Sequence, residues 1–231
     1  MKNKAFTLTE LIIALGIIGT IAALSVPALM NNINRKVLST QIKNTAASIQ
    51  QLITDQMVTK RAIMLKDTDF GNVSLLLKNF SKIKDCSSTS PCWADSYGFI
   101  GGAAVTQTEE DEEDEEGTGG EEGSETPALT VSSDVSSIRL RNGVAIGYKL
   151  VSSDDAAING EKILGQFYVD ANATDSPNII GRDFFSFYVT TKGHIVGGSG
   201  TCASATDIDG GLKCFEQLVK NNWKMPEDSD Y

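Results

Sequence analysis

The feature that most constrains this chain is a run of twenty residues, 11–30, that contains no charged side chain. At 1.5 Å per residue, a helix of this length is about 30 Å long, which matches the hydrocarbon core of a bilayer. Lys2 and Lys4 precede the run, and basic residues in that position favour a cytoplasmic start and an exported remainder. The N-terminus therefore predicts one membrane-spanning helix over residues 6–30.

The helical pattern continues beyond the apolar run, but on one face only. Five apolar residues recur at the spacing of an amphipathic helix: Leu38, Ile42, Ile49, Leu52 and Ile53. This spacing predicts a single helix from about residue 6 to about residue 60. Its second half, residues 31–60, is expected to pack one face against a globular head formed by residues 61–231.

The formal charge of −10 comes from one segment of the chain. Residues 109–125 hold eleven acids and no base, and the rest of the chain carries a formal charge of about +1. Because no strongly basic face is indicated, nucleic-acid binding has little support. A run of acids with Gly and Ser buries little apolar surface, so it predicts a solvated, disordered insertion over about residues 106–127. An acidic cation-binding surface is the alternative.

The four cysteines fall into two closely spaced pairs, Cys86/Cys92 and Cys202/Cys214. Four cysteines allow three connectivities, and these two short loops cost the least entropy to close. Behind a membrane-type N-terminus, the spacing predicts two local disulfides in an oxidising compartment. The alternative is a zinc site, which His194, the only histidine, would have to join.

The C-terminal half reads as strands joined by short turns. Asn142-Gly143 separates two alternating apolar runs, which predicts a β-hairpin. Further strands are predicted over residues 167–169, 184–189 and 194–196. Connections this short favour an antiparallel sheet, so the predicted fold class is α+β. Phe215, Leu218 and Val219 have the spacing of one short helix near the end of the chain.

The sequence shows no arrangement of a nucleophile with a base, and His194 alone does not make one, so no catalytic residue and no enzyme activity are predicted. Oxygen-bearing side chains recur in one segment: Asp170, Asn172, Thr174 and Asp175. Calcium loops use such alternation, but the glycine and the distal glutamate of an EF-hand are missing. An Asx-rich turn is favoured over calcium, and no cofactor or metal ligand is otherwise predicted.

Glu10 is the one acid at the edge of the apolar run, where an unpaired charge is costly. A signal peptide cut near Ala23 or Ala28, or a plain membrane anchor, gives this carboxylate no role. If the bond between Ala5 and Phe6 is cleaved, the new Phe6 amine lies one helical turn from Glu10. The carboxylate of one subunit can then pair with the amine of its neighbour and penalise wrong axial registers.

The stretch AFTLTEL, residues 5–11, with Pro27 near the end of the apolar run, resembles the prepilin N-terminus of type IV pilins and type II secretion pseudopilins. The resemblance implies that a prepilin peptidase removes the leader, residues 1–5, and methylates Phe6. It also implies that Glu10 and Pro27 act in assembly. The family usually has glycine before the cut, where this chain has Ala5.

The resemblance further implies a structural subunit of a type IV pilus or a type II secretion pseudopilus. Such a subunit is a single-pass protein of the cytoplasmic (inner) membrane with an extracytoplasmic head, and later part of the filament. Its implied partners are prepilin peptidase, other pilin or pseudopilin subunits in a homo- or hetero-filament, and membrane lipid, with nucleic acid only in a DNA-uptake pseudopilin. The alternative is a monomeric, membrane-anchored extracytoplasmic binding module without a filament role.

Overall fold

A computed structural model of the chain describes residues 8–87, 89–100, 129–151, 156–158, 160–204 and 207–225. Two compact units are distinguished, residues 1–37 and residues 38–231. The first unit consists, in its described part, of one helix whose large apolar side chains are exposed. The second unit holds the sheet and the buried core. The predicted boundaries at residues 5, 30 and 60 separate functional segments and stay predictions.

The helices are α1 (Leu8–Lys60), α2 (Val73–Leu76) and α3 (Gly211–Lys220). Short 3₁₀ helices are described at Leu65–Asp67, Asp69–Gly71, Leu77–Asn79, Cys202–Ser204 and Ile208–Gly210. α1 is continuous over 53 residues, in agreement with the predicted helix from about residue 6 to about residue 60. Among the described residues, no helix combines the length and apolar character that crossing a membrane demands.

Nine strands are described: β1 (Lys82–Asp85), β2 (Gly98–Phe99), β3 (Ser136–Leu140), β4 (Ala145–Leu150), β5 (Ala157–Ile158), β6 (Glu161–Asp170), β7 (Ile179–Ile180), β8 (Phe184–Thr190) and β9 (Ile195–Val196). Their order in the sheet is β1-β3-β4-β6-β8-β7-β2, with β5 beside β6 and β9 beside β8. The long central pairs are antiparallel, as predicted. The short pairs β2–β7 and β7–β8 are parallel, so the sheet is mixed rather than purely antiparallel.

The β3–β4 hairpin forms at the predicted turn. Ile138 pairs with Ile146, and Gly143 has a φ of 91°, a left-handed conformation that glycine adopts without a Cβ clash. β4 then pairs with β6, and β6 with β8, so the hairpin leads directly into the centre of the sheet.

One face of the sheet is covered by the second half of α1 and by a chain of aromatic rings. Leu38, Ile42, Ile49 and Ile53 of α1 are at most 9% exposed and belong to the same core as the sheet. The amphipathic spacing of the sequence therefore identified the buried face of the helix. The rings stand at centroid distances between 4.6 and 6.3 Å in the order Phe70, Tyr148, Phe167, Phe187 and Phe215.

The opposite face is covered by the segment before β2. Trp93 and Tyr97 pack against Phe184 of β8 at centroid distances of 6.0 and 4.6 Å. Trp93 Nε1 also donates a hydrogen bond to Ser137 Oγ of β3. Burial on both faces explains why residues 165–170 of β6 are buried without the alternation of a half-exposed strand. This region places three titratable side chains together in the interior.

Candidate assembly site and buried carboxyl cluster

The residues of the predicted processing site lie at the edge of the described chain. Ala5 and Phe6 fall outside the described residues. Glu10 lies in the first turn of α1, where a negative charge interacts favourably with the helix dipole, and its side chain is exposed. The backbone of α1 is helical through Pro27, whose side chain is outside what the structure describes.

The first part of α1 exposes apolar side chains around its whole circumference. Twelve large apolar residues between positions 8 and 37 are 46–75% exposed: Leu8, Leu11, Ile12, Ile13, Leu15, Ile17, Ile18, Ile21, Leu29, Met30, Ile33 and Val37. A contiguous apolar surface of this size marks a site of protein or lipid contact. The second half of α1 differs because its apolar residues are already buried by the head.

The structure contains the disulfides Cys86–Cys92 and Cys202–Cys214, the two pairs that the cysteine spacing predicts. The second pair packs tightly on the turn between β7 and β8. A Cβ built on Gly181 would lie 2.5 Å from Cys202 Sγ and 2.8 Å from Cys214 Sγ. Gly181 also has a φ of 90°, so this position needs glycine for its backbone and for its close approach to sulfur.

The segment proposed as a calcium alternative folds as an Asx-type turn that starts at the end of β6. Asp170 Oδ1 accepts from the backbone amides of Asn172 and Ala173 at 3.1 and 2.8 Å. Asn172 Nδ2 donates to the carbonyl oxygens of Asp175 and Ser176. Within the described part of the chain, no three His, Cys, Asp or Glu side chains are grouped so as to hold a metal ion.

Asp170 also belongs to a cluster that the sequence did not indicate, formed by Tyr97, Asp170 and Asp183 and called the carboxyl cluster below. Both aspartates and the tyrosine are 0% exposed. Tyr97 Oη donates to Asp170 Oδ2 at 2.6 Å, although 73 residues separate the two in the chain. The amides of Asn178 and Ile179 donate to the two oxygens of Asp183, each at 2.6 Å.

Burial changes the acidity of this cluster. Desolvation, and then the charge of Asp183, raises the pKa of Asp170 to about 8. Burial likewise raises the pKa of Asp183, against the opposing effect of its amide hydrogen bonds. Burial raises the pKa of Tyr97 further above its ordinary value, and the neighbouring Asp170 adds to the effect. Burial and hydrogen bonding therefore act in opposite directions on both carboxyl groups.

His194 lies at the surface beside β9. Its Nδ1 is 2.8 Å from Glu161 Oε2, and Lys192 Nζ is 3.3 Å from Glu161 Oε1. The histidine side chain is 63% exposed. This arrangement is a solvated ion cluster at a turn, and the described residues around it include no serine or cysteine nucleophile bonded to the imidazole.

The first 26 residues match the prokaryotic N-terminal methylation motif (residues 1–26). This motif is the signature of type IV pilins and pseudopilins, which are structural rather than enzymatic proteins. Comparisons with curated proteins and with solved structures give no significant match. The motif supports a type IV pilin-like subunit in general, one that is anchored in a membrane and then associated with a pilus.

Proposed function

We propose that this chain is a pilin-like structural subunit of a type IV pilus or a type II secretion pseudopilus. A prepilin peptidase cleaves it between Ala5 and Phe6 and methylates the new Phe6 amine. The observation that carries the proposal is the methylation motif of residues 1–26. Continuity of α1 over Leu8–Lys60 supports it further, because one helix then joins an apolar assembly segment to the packed head.

The exposed apolar surface of α1 supports assembly through this helix. Apolar side chains at 46–75% exposure are unfavourable in water, and burial of each stabilises an assembly by about 1.5–3 kcal/mol at most. In the precursor, lipid of the cytoplasmic membrane covers this surface in a single pass. In the filament, the helices of other pilin or pseudopilin subunits cover it. The disulfide-bonded head lies outside the cytoplasm, since both disulfides require an oxidising compartment.

Glu10 sets the axial register in this proposal. The methylated Phe6 amine of one subunit and the Glu10 carboxylate of its neighbour form an ion pair within the apolar bundle. A wrong register leaves a buried charge without its partner, which costs several kcal/mol and is therefore rejected. Pro27 loosens α1 locally, because proline lacks the amide that would donate one helical hydrogen bond.

Mass spectrometry of the N-terminus tests the processing step. The protein isolated from cells that contain a prepilin peptidase should begin at a methylated Phe6. The precursor should persist when the peptidase is absent. An intact leader, or a cut near Ala28, would contradict the proposal and favour an exported or simply anchored binding module.

A substitution at Glu10 tests the assembly step. Glu10→Ala should leave membrane insertion and head folding unchanged but reduce incorporation into filaments at least tenfold, measured by shearing and immunoblotting. Asp55→Ala is the matched control, because Asp55 is an exposed acid on the packed half of the same helix. Equal incorporation of both variants would show that the Glu10 carboxylate does not set the register.

A further inference from the structure

A cavity of about 480 Å³ lies at one edge of the sheet, and its described lining shares no residue with the carboxyl cluster. Three segments line it: the helical segment 73–79, strand β1, and the turn before β3 with the start of that strand. β1 is the edge strand here, because among the described strands it pairs with β3 alone. A cavity of this volume is large enough to hold a small ligand.

The apolar part of the cavity wall is fixed by the surrounding structure. Leu77 and Val135 are each 7% exposed, and they line the cavity together with Cys86, whose sulfur is in a disulfide. Cys86 N donates to Ser137 O at 3.0 Å, and Trp93 Nε1 donates to Ser137 Oγ at 3.1 Å. Because buried side chains, a disulfide and hydrogen bonds hold these walls, the cavity is formed before any ligand binds.

The charged side chains of the lining give an excess of positive charge. Two lysines, Lys78 and Lys82, and one acid, Asp85, line the cavity. Lys82 Nζ pairs with Asp85 Oδ1, so the charge of Lys82 is already compensated. Lys78 is exposed and forms no ion pair within the described part of the chain. The cavity therefore offers one ammonium group that can bind an anionic ligand.

The edge of the sheet beside the cavity adds to this positive charge. Lys84 of β1 lies opposite Arg139 of β3 in the antiparallel register. Asp134, the acid that precedes β3, is paired with Lys149 at 2.6 Å and compensates neither of them. An anion that approaches this edge is therefore attracted by the summed charge of the two strands.

Hydroxyl groups make up the rest of the lining. Four serines contribute them: Ser74, Ser133, Ser136 and Ser137. Ser74 lies four residues before Lys78, so the two share one side of the helical segment. Within the described residues, the hydroxyls of Ser74, Ser133 and Ser136 form no hydrogen bond. Because a serine hydroxyl can both donate and accept, this lining matches a ligand that itself carries several hydroxyl groups.

We propose that this cavity binds a carboxylated sugar, such as a uronic acid unit of a saccharide. The Lys78 ammonium binds the sugar carboxylate, while the serine hydroxyls and Asp85 form hydrogen bonds with the sugar hydroxyls. The CH groups of the sugar ring pack on Leu77 and Val135. A simple carboxylate would use only Lys78, and a neutral sugar would leave Lys78 unused, so the complete lining favours a ligand with both features. This site is independent of the filament role proposed above, because it belongs to the folded head alone.

Titration of the full-length chain in mild detergent with methyl glucuronide tests the site, with binding followed by NMR of the backbone amides. Signals of residues 74–86 and 133–137 should shift and reach saturation. Methyl glucoside, which lacks only the carboxylate, and acetate, which lacks the sugar, should each bind at least tenfold more weakly. Affinity for either compound equal to that for the glucuronide would overturn the proposal, as would the absence of saturable shifts up to about 50 mM glucuronide.

Lys78→Gln isolates the role of the ammonium group. This variant should bind methyl glucuronide at least tenfold more weakly and should lose the preference for the glucuronide over the glucoside. Lys66→Gln is the matched control, because Lys66 is an exposed lysine of another 3₁₀ helix, Leu65–Asp67, and it should keep the wild-type affinity. Wild-type affinity and preference in Lys78→Gln would refute the proposed binding of the carboxylate.

Ser136→Ala isolates the role of a hydroxyl group. Ser136 is exposed at the start of β3, so its replacement should leave the fold intact. The variant should bind methyl glucuronide at least threefold more weakly but keep the preference for the glucuronide over the glucoside. Ser81→Ala, at an exposed serine just before β1, is the control and should keep the wild-type affinity. Wild-type affinity in Ser136→Ala would overturn the proposed binding of the sugar hydroxyls.

Discussion

Gly165 of β6 lies against the ring of Tyr148, and a substitution there tests how tightly the centre of the head is packed. A Cβ built on Gly165 would stand 2.5 Å from Tyr148 Cζ and 2.7 Å from Cε2, well inside van der Waals contact. Tyr148 is 0% exposed, and its hydroxyl donates to the carbonyl oxygen of Phe70 at 3.1 Å. The ring is therefore enclosed by the core and held at its hydroxyl.

The expected cost of Gly165→Ala has two parts. Overpacking a tight core costs about 1–3 kcal/mol. Displacement of Tyr148 also weakens its hydrogen bond to Phe70, for about another 0.5–1.5 kcal/mol. The free energy of unfolding should thus fall by about 2–4 kcal/mol, which corresponds to a Tm lower by about 5–15 °C for a head of this size.

Thermal unfolding followed by circular dichroism measures the effect, with Gly98→Ala as control. A Cβ built on Gly98 would have no atom within 4 Å. The Tm of Gly98→Ala should therefore lie within about 2 °C of that of the wild type, because substitutions that make no new contact have small effects on stability. In the Tyr148→Phe background, the hydrogen bond to Phe70 is already absent, and Gly165→Ala should cost at least about 0.5 kcal/mol less. This account of the packing would be refuted if the Tm of Gly165→Ala lay within 1 °C of that of the wild type. It would also be refuted if Gly165→Ala lowered the free energy of unfolding by the same amount in the Tyr148→Phe variant as in the wild type.

Three other outcomes are expected. Replacing Cys202 and Cys214 by serine should lower the free energy of unfolding by about 3 kcal/mol, because the unfolded chain without the disulfide has more conformational entropy. Urea denaturation measures this loss, and a loss below about 1 kcal/mol would contradict the argument from loop entropy. The Lys60 ammonium lowers the pKa of Asp69 below 3.8, so the pair stabilises the fold above that pH and the effect disappears in stronger acid. Asp69→Asn should therefore cost up to about 1 kcal/mol at pH 7 and nothing near pH 2, and equal losses at both pH values would exclude an ionic origin. Addition of calcium or of a chelator should shift the Tm by less than 1 °C, because the Asp170 oxygens already accept hydrogen bonds from Tyr97 and Ala173. An increase of the Tm by more than 1 °C on addition of calcium would restore the calcium interpretation of residues 170–175.

Local patterns in the sequence were sufficient for several parts of the fold. The Asn142-Gly143 turn predicted the β3–β4 hairpin, because its backbone requirement is met by two adjacent residues. Apolar periodicity predicted the buried face of α1, with Ile42 and Ile49 fully enclosed. The spacing of Phe215 and Leu218 similarly predicted α3, where both are buried, whereas Val219 remains 38% exposed.

Long-range pairings were beyond such patterns. At the parallel edge of the sheet, β7 pairs with β8 and with β2. β2 and β7 have two residues each and lie about eighty positions apart in the chain, and strands this short show no periodic pattern in the sequence. The spacing of oxygen-bearing side chains marks Asp170 as a possible calcium ligand, and no periodicity in the sequence places it in contact with Tyr97.

The sequence alone determined the match to the N-terminal methylation motif, because that motif is defined by the composition and order of residues 1–26 and not by the fold. It also determined which cysteines pair, because short loops close at the lowest entropic cost. Only the tertiary structure decided that two aspartates would share the interior with a tyrosine. Their acidity depends on burial and on mutual distance, and both quantities exist only after the chain has folded.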